Sequence, residues 1–241
     1  MMKKRILFVI PYLVDGGAER ALSNITRNIA NEWEIDILVN SDKVINYPCR
    51  GNIITLSIDK EAKTSSVFFQ FKVLLKRVAK LRKLKRENHY TACISFLDSA
   101  NVANILSGKK YCRVLISCRC SMANQTTWQY KYVVSPLIRI FYNKADKVVA
   151  VSRGIAEELK SQFGIAEEKV GIVENGYDLE EIKAQSEETI NDVETAFFSD
   201  RKVIITAGRL EEQKAQWHLI RAFFEVQKTQ KNLGLMILGE G

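Results

Sequence analysis

Residues 5–29 read RILFVIPYLVDGGAERALSNITRNI, and the pattern of that stretch decides the fold class. Arg5–Leu13 is an almost unbroken apolar run, as expected of a strand buried on both faces. Gly16-Gly17 interrupts it, and Ala18, Ala21, Leu22, Ile25 and Ile29 then recur at helical spacing. Strand, glycine turn and amphipathic helix in immediate succession form the opening of a βα unit.

Working outward, the same alternation repeats. Ile35–Val39 and Ile53–Leu56 read as short strands, and Val67–Arg86 as a long helix with Phe71, Leu74, Leu75, Val78 and Leu81 along one stripe. Ala92–Phe96, Val114–Ser117, Lys147–Val151 and Val170–Val173 follow as strands. Ser99–Leu106 and Ile155–Phe163 read as helices, and Trp128–Tyr142 as helical in part, interrupted near Pro136. Strands separated by helices imply parallel pairing in a doubly wound α/β sheet. The reading assigns residues 1–178 to a Rossmann-like first domain. Residues 179–200, polar and acidic, read as a linker. A second Rossmann-like domain begins at 201, with strand Val203–Ala207, a helix from about Gln216 to Gln227 and strand Leu233–Leu238. One such unit cannot bury both faces of its sheet, so the expectation is that this second domain is incomplete here.

Composition narrows the class. The chain has 241 residues, 46% of them apolar, which suits a globular protein with a large core. No apolar run is long enough to span a bilayer. The basic start followed by apolar residues lacks a cleavage site, so the expected location is the cytoplasm, with a peripheral place on the inner face of the membrane. Five cysteines without framework spacing fit that compartment. Cys118 and Cys120 form a lone C-x-C without a second ligand pair, so no metal is expected. The net charge of +8 favours phosphate-bearing or membrane-surface partners. Much of it lies between Lys72 and Arg86, where KVLLKRVAKLRKLKR contains no acid. Lys72, Lys76, Arg77, Lys80 and Lys83 could dock on an anionic bilayer, or face water from a crossover helix. Nucleic acid is not an expected partner, because aromatics do not interleave with the bases and no reader motif is present.

Four loops carry candidate chemistry. Gly16 and Gly17 sit at a helix start, where free N–H groups suit an anion, although a tight turn alone would explain them. They match neither the dinucleotide fingerprint nor a P-loop. Gly208-Arg209-Leu210, with Lys214 five residues after Arg209, places two cations just past a strand, a pair suited to a diphosphate. Asn175-Gly176 is a turn signal after the last strand of the first domain. Arg119 follows Val114–Ser117, again at a strand's carboxyl end. His89 reads as a loop residue and His218 as a helix-surface residue.

Taken in order, Gly-Gly-Ala-Glu-Arg after the first strand, Val149-Ala150-Val151-Ser152-Arg153-Gly154-Ile155, Glu174-Asn175-Gly176, Ala207-Gly208-Arg209-Leu210 with Gln213-Lys214, and Leu238-Gly239-Glu240-Gly241 resemble the retaining glycosyltransferases of family 4. The resemblance implies a GT-B fold. It also implies transfer of a sugar from a nucleotide-diphosphate donor, UDP- or GDP-linked, to a lipid-linked or polysaccharide acceptor in bacterial surface polysaccharide synthesis. It assigns Arg209 and Lys214 to the donor diphosphate, and Gly16 and Gly17 to the approach of donor phosphate and acceptor. Gly208 belongs to the same donor loop, Asn175 to the interdomain Asn-Gly, and Arg119 to the position beside the reacting sugar. Enzymes of this fold generally work without a metal. Ala215 stands where relatives usually carry glycine. The family's acidic Glu-x7-Glu region falls beyond Gly241. The alternative expectation is therefore a truncated, non-catalytic piece that binds acceptor and membrane and needs a second polypeptide.

Overall fold

A computed structural model of the protein describes residues 4–14, 16–58, 67–121, 128 and 130–240. The chain divides into two compact units, Met1–Asp178 and Leu179–Gly241.

In the first unit the elements run β1 (Arg5–Val9), α1 (Gly17–Asn28), β2 (Glu34–Val39), β3 (Asn52–Thr55), α2 (Val67–Asn88), β4 (Ala92–Phe96) and α3 (Asp98–Leu106). They continue with β5 (Arg113–Cys118), α4 (Ser135–Phe141), β6 (Lys147–Ala150), α5 (Arg153–Ser161) and β7 (Val170–Ile172). The strands pair in parallel in the order β3-β2-β1-β4-β5-β6-β7. The order reverses between β1 and β4, and in open α/β sheets a crevice for ligands forms at the carboxyl ends of such a pair. Leu7, Phe8 and Val9 are fully enclosed, as the apolar run implies for a strand covered on both faces.

Local chemistry explains several boundaries. α1 buries Ala18, Ala21 and Leu22, with Ile25 and Ile29 packed beside them against β1 and β2. Ser152 caps α5, its Oγ accepting from the Ile155 N–H at 3.3 Å, so the serine of the Val149–Ile155 motif has a structural duty. Pro136 lies in the first turn of α4, preceded by a π-helical turn at Tyr130–Val134; a proline tolerated only in a first turn is what divides this segment.

Helix α2 departs from its expected pattern. Val78, Leu81 and Leu84 are buried against the sheet, but Phe71 and Leu75 of the same stripe are exposed. Its charges divide as well. Arg77 is only 3% exposed, donating to Asn40 Oδ1 at 2.7 Å and to Ser99 Oγ at 3.3 Å. Lys85 is 1% exposed, and its ammonium donates to Asn104 O, Asn104 Oδ1 and the Gly108 carbonyl at 2.8–3.1 Å. A buried cation survives only when hydrogen-bonded, and the end of α3 supplies the acceptors for Lys85. Arg77 is therefore corrected from a docking cation to an internal anchor. Lys76 is exposed, yet its ammonium is held by the Leu56 carbonyl at 2.7 Å. Lys72 and Lys83 are exposed and Lys80 half-buried.

The second unit contains α6 (Leu179–Ser186), α7 (Asp192–Ser199), β8 (Lys202–Ala207), α8 (Gln216–Gln227) and β9 (Leu233–Leu238). Two helices thus occupy the acidic stretch read as a linker. Strands β8 and β9 pair in parallel in full register, from Lys202 opposite Leu233 to Ala207 opposite Leu238. Ile205, Ile220 and Phe224 remain exposed in this unit.

Candidate functional site

Three loops converge at the carboxyl end of the first unit's sheet. After β1, Gly16 precedes α1 with an extended backbone, and the Glu19 carboxylate folds back against it. A Cβ on Gly16 would lie 2.2 Å from Glu19 Oε2, so a side chain there would displace the carboxylate. A Cβ on Gly17 would meet nothing, so Gly17 leaves open space. After β5, Arg119 reaches the second loop: its guanidinium donates to Ser117 Oγ at 3.3 Å and to Asn175 Oδ1, and lies 5.4 Å over the Phe96 ring. After β7, the Asn175-Gly176 turn is also held from the other side, because Asn24 of α1 donates to the Gly176 carbonyl at 3.0 Å. Gly16, Arg119 and Asn175, far apart in sequence, therefore belong to one cluster.

The electrostatics suit an anionic or polar ligand. Burial lowers the pKa of Arg119 from its ordinary value, while the nearby Glu19 and Tyr177 oppose that shift. The guanidinium remains a cation and offers N–H groups in a fixed plane.

Sequence reasoning missed two neighbours. Leu97, between β4 and α3, has φ 72° and ψ 147°, a conformation that non-glycine residues adopt at a cost of about 1–3 kcal/mol. It places Asp98 at the carboxyl end of β4, where Tyr142 donates to its Oδ1 at 2.7 Å. Burial raises the Asp98 pKa, and the tyrosine bond offsets part of that rise. An acid directly after a strand and opening a helix was the available signal. The strain at Leu97 left none, because nothing in a leucine announces positive φ.

In the second unit, Gly208, Arg209 and Lys214 surround the turn between β8 and α8. Gly208 and Gly239 lie back to back, joined by Gly208 N–H to Leu238 O at 2.8 Å. A Cβ on Gly239 would sit 1.9 Å from the Gly208 carbonyl oxygen, which requires glycine. The Lys214 stem lies beside Gly208. Arg209 is exposed and paired with Glu211 at 2.7 Å. Ala215 takes φ 51° and ψ 36°, the left-handed conformation that favours glycine. As N-cap of α8 it has no side chain to satisfy the first N–H groups of that helix. His218 stacks on Trp217. Gly241, last of the glycine-rich turn, lies outside the described residues.

Among the described residues no helix is long and apolar enough to cross a membrane.

Comparison with known proteins places this arrangement. The sequence profile of Glycosyltransferase Family 4 matches residues 15–181. An uncharacterised glycosyltransferase of Methanocaldococcus jannaschii is 29% identical over 75% of this chain and 47% of its own length. The N-acetylgalactosamine-N,N'-diacetylbacillosaminyl-diphospho-undecaprenol 4-alpha-N-acetylgalactosaminyltransferase of Campylobacter jejuni is 28% identical over 100% of this chain and 63% of its own. The chain thus spans about half to two thirds of these relatives' lengths. In fold it is similar to Anabaena HepE, solved with UDP and glucose, with a TM-score of 0.65, 16% identity, and coverage of 98% of this chain and 61% of that one. The lipopolysaccharide outer core galactosyltransferase WaaB is similar too, with a TM-score of 0.62, 18% identity, and coverage of 99% and 61%. With its seven-stranded parallel sheet and the β8-α8-β9 unit, the chain has the GT-B fold and belongs to glycosyltransferase family 4.

Proposed function

We propose that the protein transfers a sugar from a nucleotide-diphosphate donor to a lipid-linked or polysaccharide acceptor, with retention of anomeric configuration. The observation that carries this reading is the convergence of the Gly16-Gly17 loop, Arg119 and Asn175 at one end of the first unit's sheet. Two similar proteins support the reading: the fold neighbour HepE was solved with UDP and glucose, in line with a nucleotide-linked donor, and the Campylobacter enzyme is named for a diphospho-undecaprenol acceptor.

The chemistry follows from charge. The bond between the anomeric carbon and phosphate breaks, and its electron pair passes to the diphosphate. Arg209, Lys214 and the uncapped N–H groups of α8 stabilise that growing charge, the kind of stabilisation that carries much of the catalysis in such transfers. The acceptor oxygen bonds to the same carbon, and its proton goes to the leaving phosphate. Two permanent cations do the electrostatic work, so the reading requires no metal. Arg119 and Asn175 hold the sugar's polar groups. The enzyme works in the cytoplasm at the inner membrane face, with Lys72, Lys76, Lys80 and Lys83 drawn to anionic lipid.

The test is sugar transfer by Arg209→Ala and Lys214→Ala variants that fold as the wild type does. Each is expected to lose about 100-fold or more in kcat. Full activity in both would remove the pair from the mechanism.

A further inference from the structure

A groove of about 500 Å³ opens beside the site, between the first half of α2 and the segment Val133–Ile138. Phe71 and Leu74 form part of one wall, Val134 and Leu137 part of the other. Its remaining lining comes from residues that follow β1, β2 and β4, among them Tyr12, Asn40 and Asp98, so it reaches the carboxyl end of the sheet where the strand order reverses. That volume lies within the ordinary range for small-molecule sites.

The surroundings of the groove specify its occupant. Large apolar side chains of its lining are exposed, Val67 to 81% and Phe71 to 55%, and so are Phe68, Trp128 and Tyr132, which neighbour the two walls in sequence. Isolated exposed apolar residues need no explanation, but a cluster around a groove does. Both walls are also cationic without a single acid. Lys72, Lys76 and Lys80 stand on α2, Lys131 and Arg139 on the other wall, and neither Val67–Arg86 nor Trp128–Ala145 contains Asp or Glu. An apolar slot, an aromatic rim and flanks of a single positive sign complement an anionic amphiphile, whose chain fills the slot and whose phosphates meet the lysines.

We infer that this groove holds the apolar chain of a polyprenyl-diphosphate-linked acceptor, delivering its sugar end to the carboxyl edge of the sheet. The inference rests on the proposed transfer to a lipid-linked acceptor and adds where that lipid sits.

Titration calorimetry on the purified protein tests it, with geranylgeranyl diphosphate, geranyl diphosphate and inorganic diphosphate as probes and UDP and GDP as separate ligands. The longer prenyl chain is expected to bind about tenfold or more tighter than the shorter, and inorganic diphosphate weakest. Phe71→Asp, which puts an acid on the rim, and Val73→Trp, which fills the slot, each weaken the geranylgeranyl probe about tenfold or more. Both leave UDP affinity unchanged. Equal affinity for prenyl and inorganic diphosphate overturns the inference, as does wild-type binding of the prenyl probe in both variants. Binding to anionic vesicles without binding of the monomeric prenyl probe also overturns it, since the face would then meet a bilayer surface only. UDP binding that survives such a result leaves the transferase reading standing; prenyl binding with neither UDP nor GDP bound counts against that reading and not against the groove.

Discussion

Replacing Lys85 with methionine tests how α2 is held. The ammonium is 1% exposed and meets three oxygens of the α3 end, at 2.8 Å (Asn104 Oδ1), 3.0 Å (Gly108 O) and 3.1 Å (Asn104 O). Methionine keeps the length and most of the volume of the side chain but supplies no donor. Asn104 O keeps the Ser107 hydroxyl at 2.6 Å and Gly108 is exposed, but the buried Asn104 Oδ1 loses its donor, and an orphaned buried acceptor costs about 1–3 kcal/mol. Against that, folding no longer has to strip water from an ammonium, a penalty of several kcal/mol. Methionine leaves no charge behind, but three hydrogen bonds to a charged group, worth about 1.5–3 kcal/mol each, are lost with the ammonium, and the expected net loss is about 2–4 kcal/mol. For a chain of this size that lowers Tm by about 5–15 °C. Urea denaturation followed by circular dichroism reads it directly. Unchanged or increased stability would refute the reasoning, because it would mean that Asn104 Oδ1 finds another donor or water once the lysine is gone.

Two further outcomes follow from backbone and burial. Ala215→Gly relieves a left-handed alanine, worth about 1–2 kcal/mol, and gives back part of that as unfolded-chain entropy, so the second unit should gain about 0.5–1 kcal/mol; a loss of stability in urea would contradict the strain. Asp98 has its folded pKa raised above the ordinary carboxylate value of 3.8 chiefly by burial. Its stabilising contribution is therefore fully present below that value and lost as pH rises through the folded pKa. The stability of Asp98→Asn relative to wild type should accordingly rise with pH across that window and level off above it. A difference independent of pH would contradict this.

The sequence alone was informative wherever neighbours in the chain are neighbours in space. The succession of β1, Gly16-Gly17 and α1 is local, and its period of apolar residues shows both strand and helix. The same holds for β8, α8 and β9. What sequence did not reveal depends on distant partners. Lys72 and Lys85 belong to one basic run, yet Lys72 faces solvent and Lys85 is enclosed, because Lys85, unlike Lys72, meets carbonyls at the end of α3. Arg119 and Asn175 were each legible as loop residues at strand ends, but their hydrogen bond requires β5 and β7 to be brought to the same edge. Leu97 and Ala215 carry positive φ on side chains that give no sign of it. Asp98 was overlooked for a related reason: its setting, between a strained leucine and the hydroxyl of Tyr142, is assembled from residues that are unremarkable when read singly.

The central claim, that the edge formed by Gly16-Gly17, Arg119 and Asn175 is where sugar is transferred, is tested most directly by one kinetic comparison. Release of nucleoside diphosphate from a nucleotide sugar, with a polyprenyl-diphosphate-linked sugar as acceptor, is measured for wild type and for a folded Arg119→Ala variant. The account predicts acceptor-dependent release by the wild type and a fall of about 100-fold or more in kcat/KM for the variant. Release by Arg119→Ala within about twofold of the wild type would contradict it.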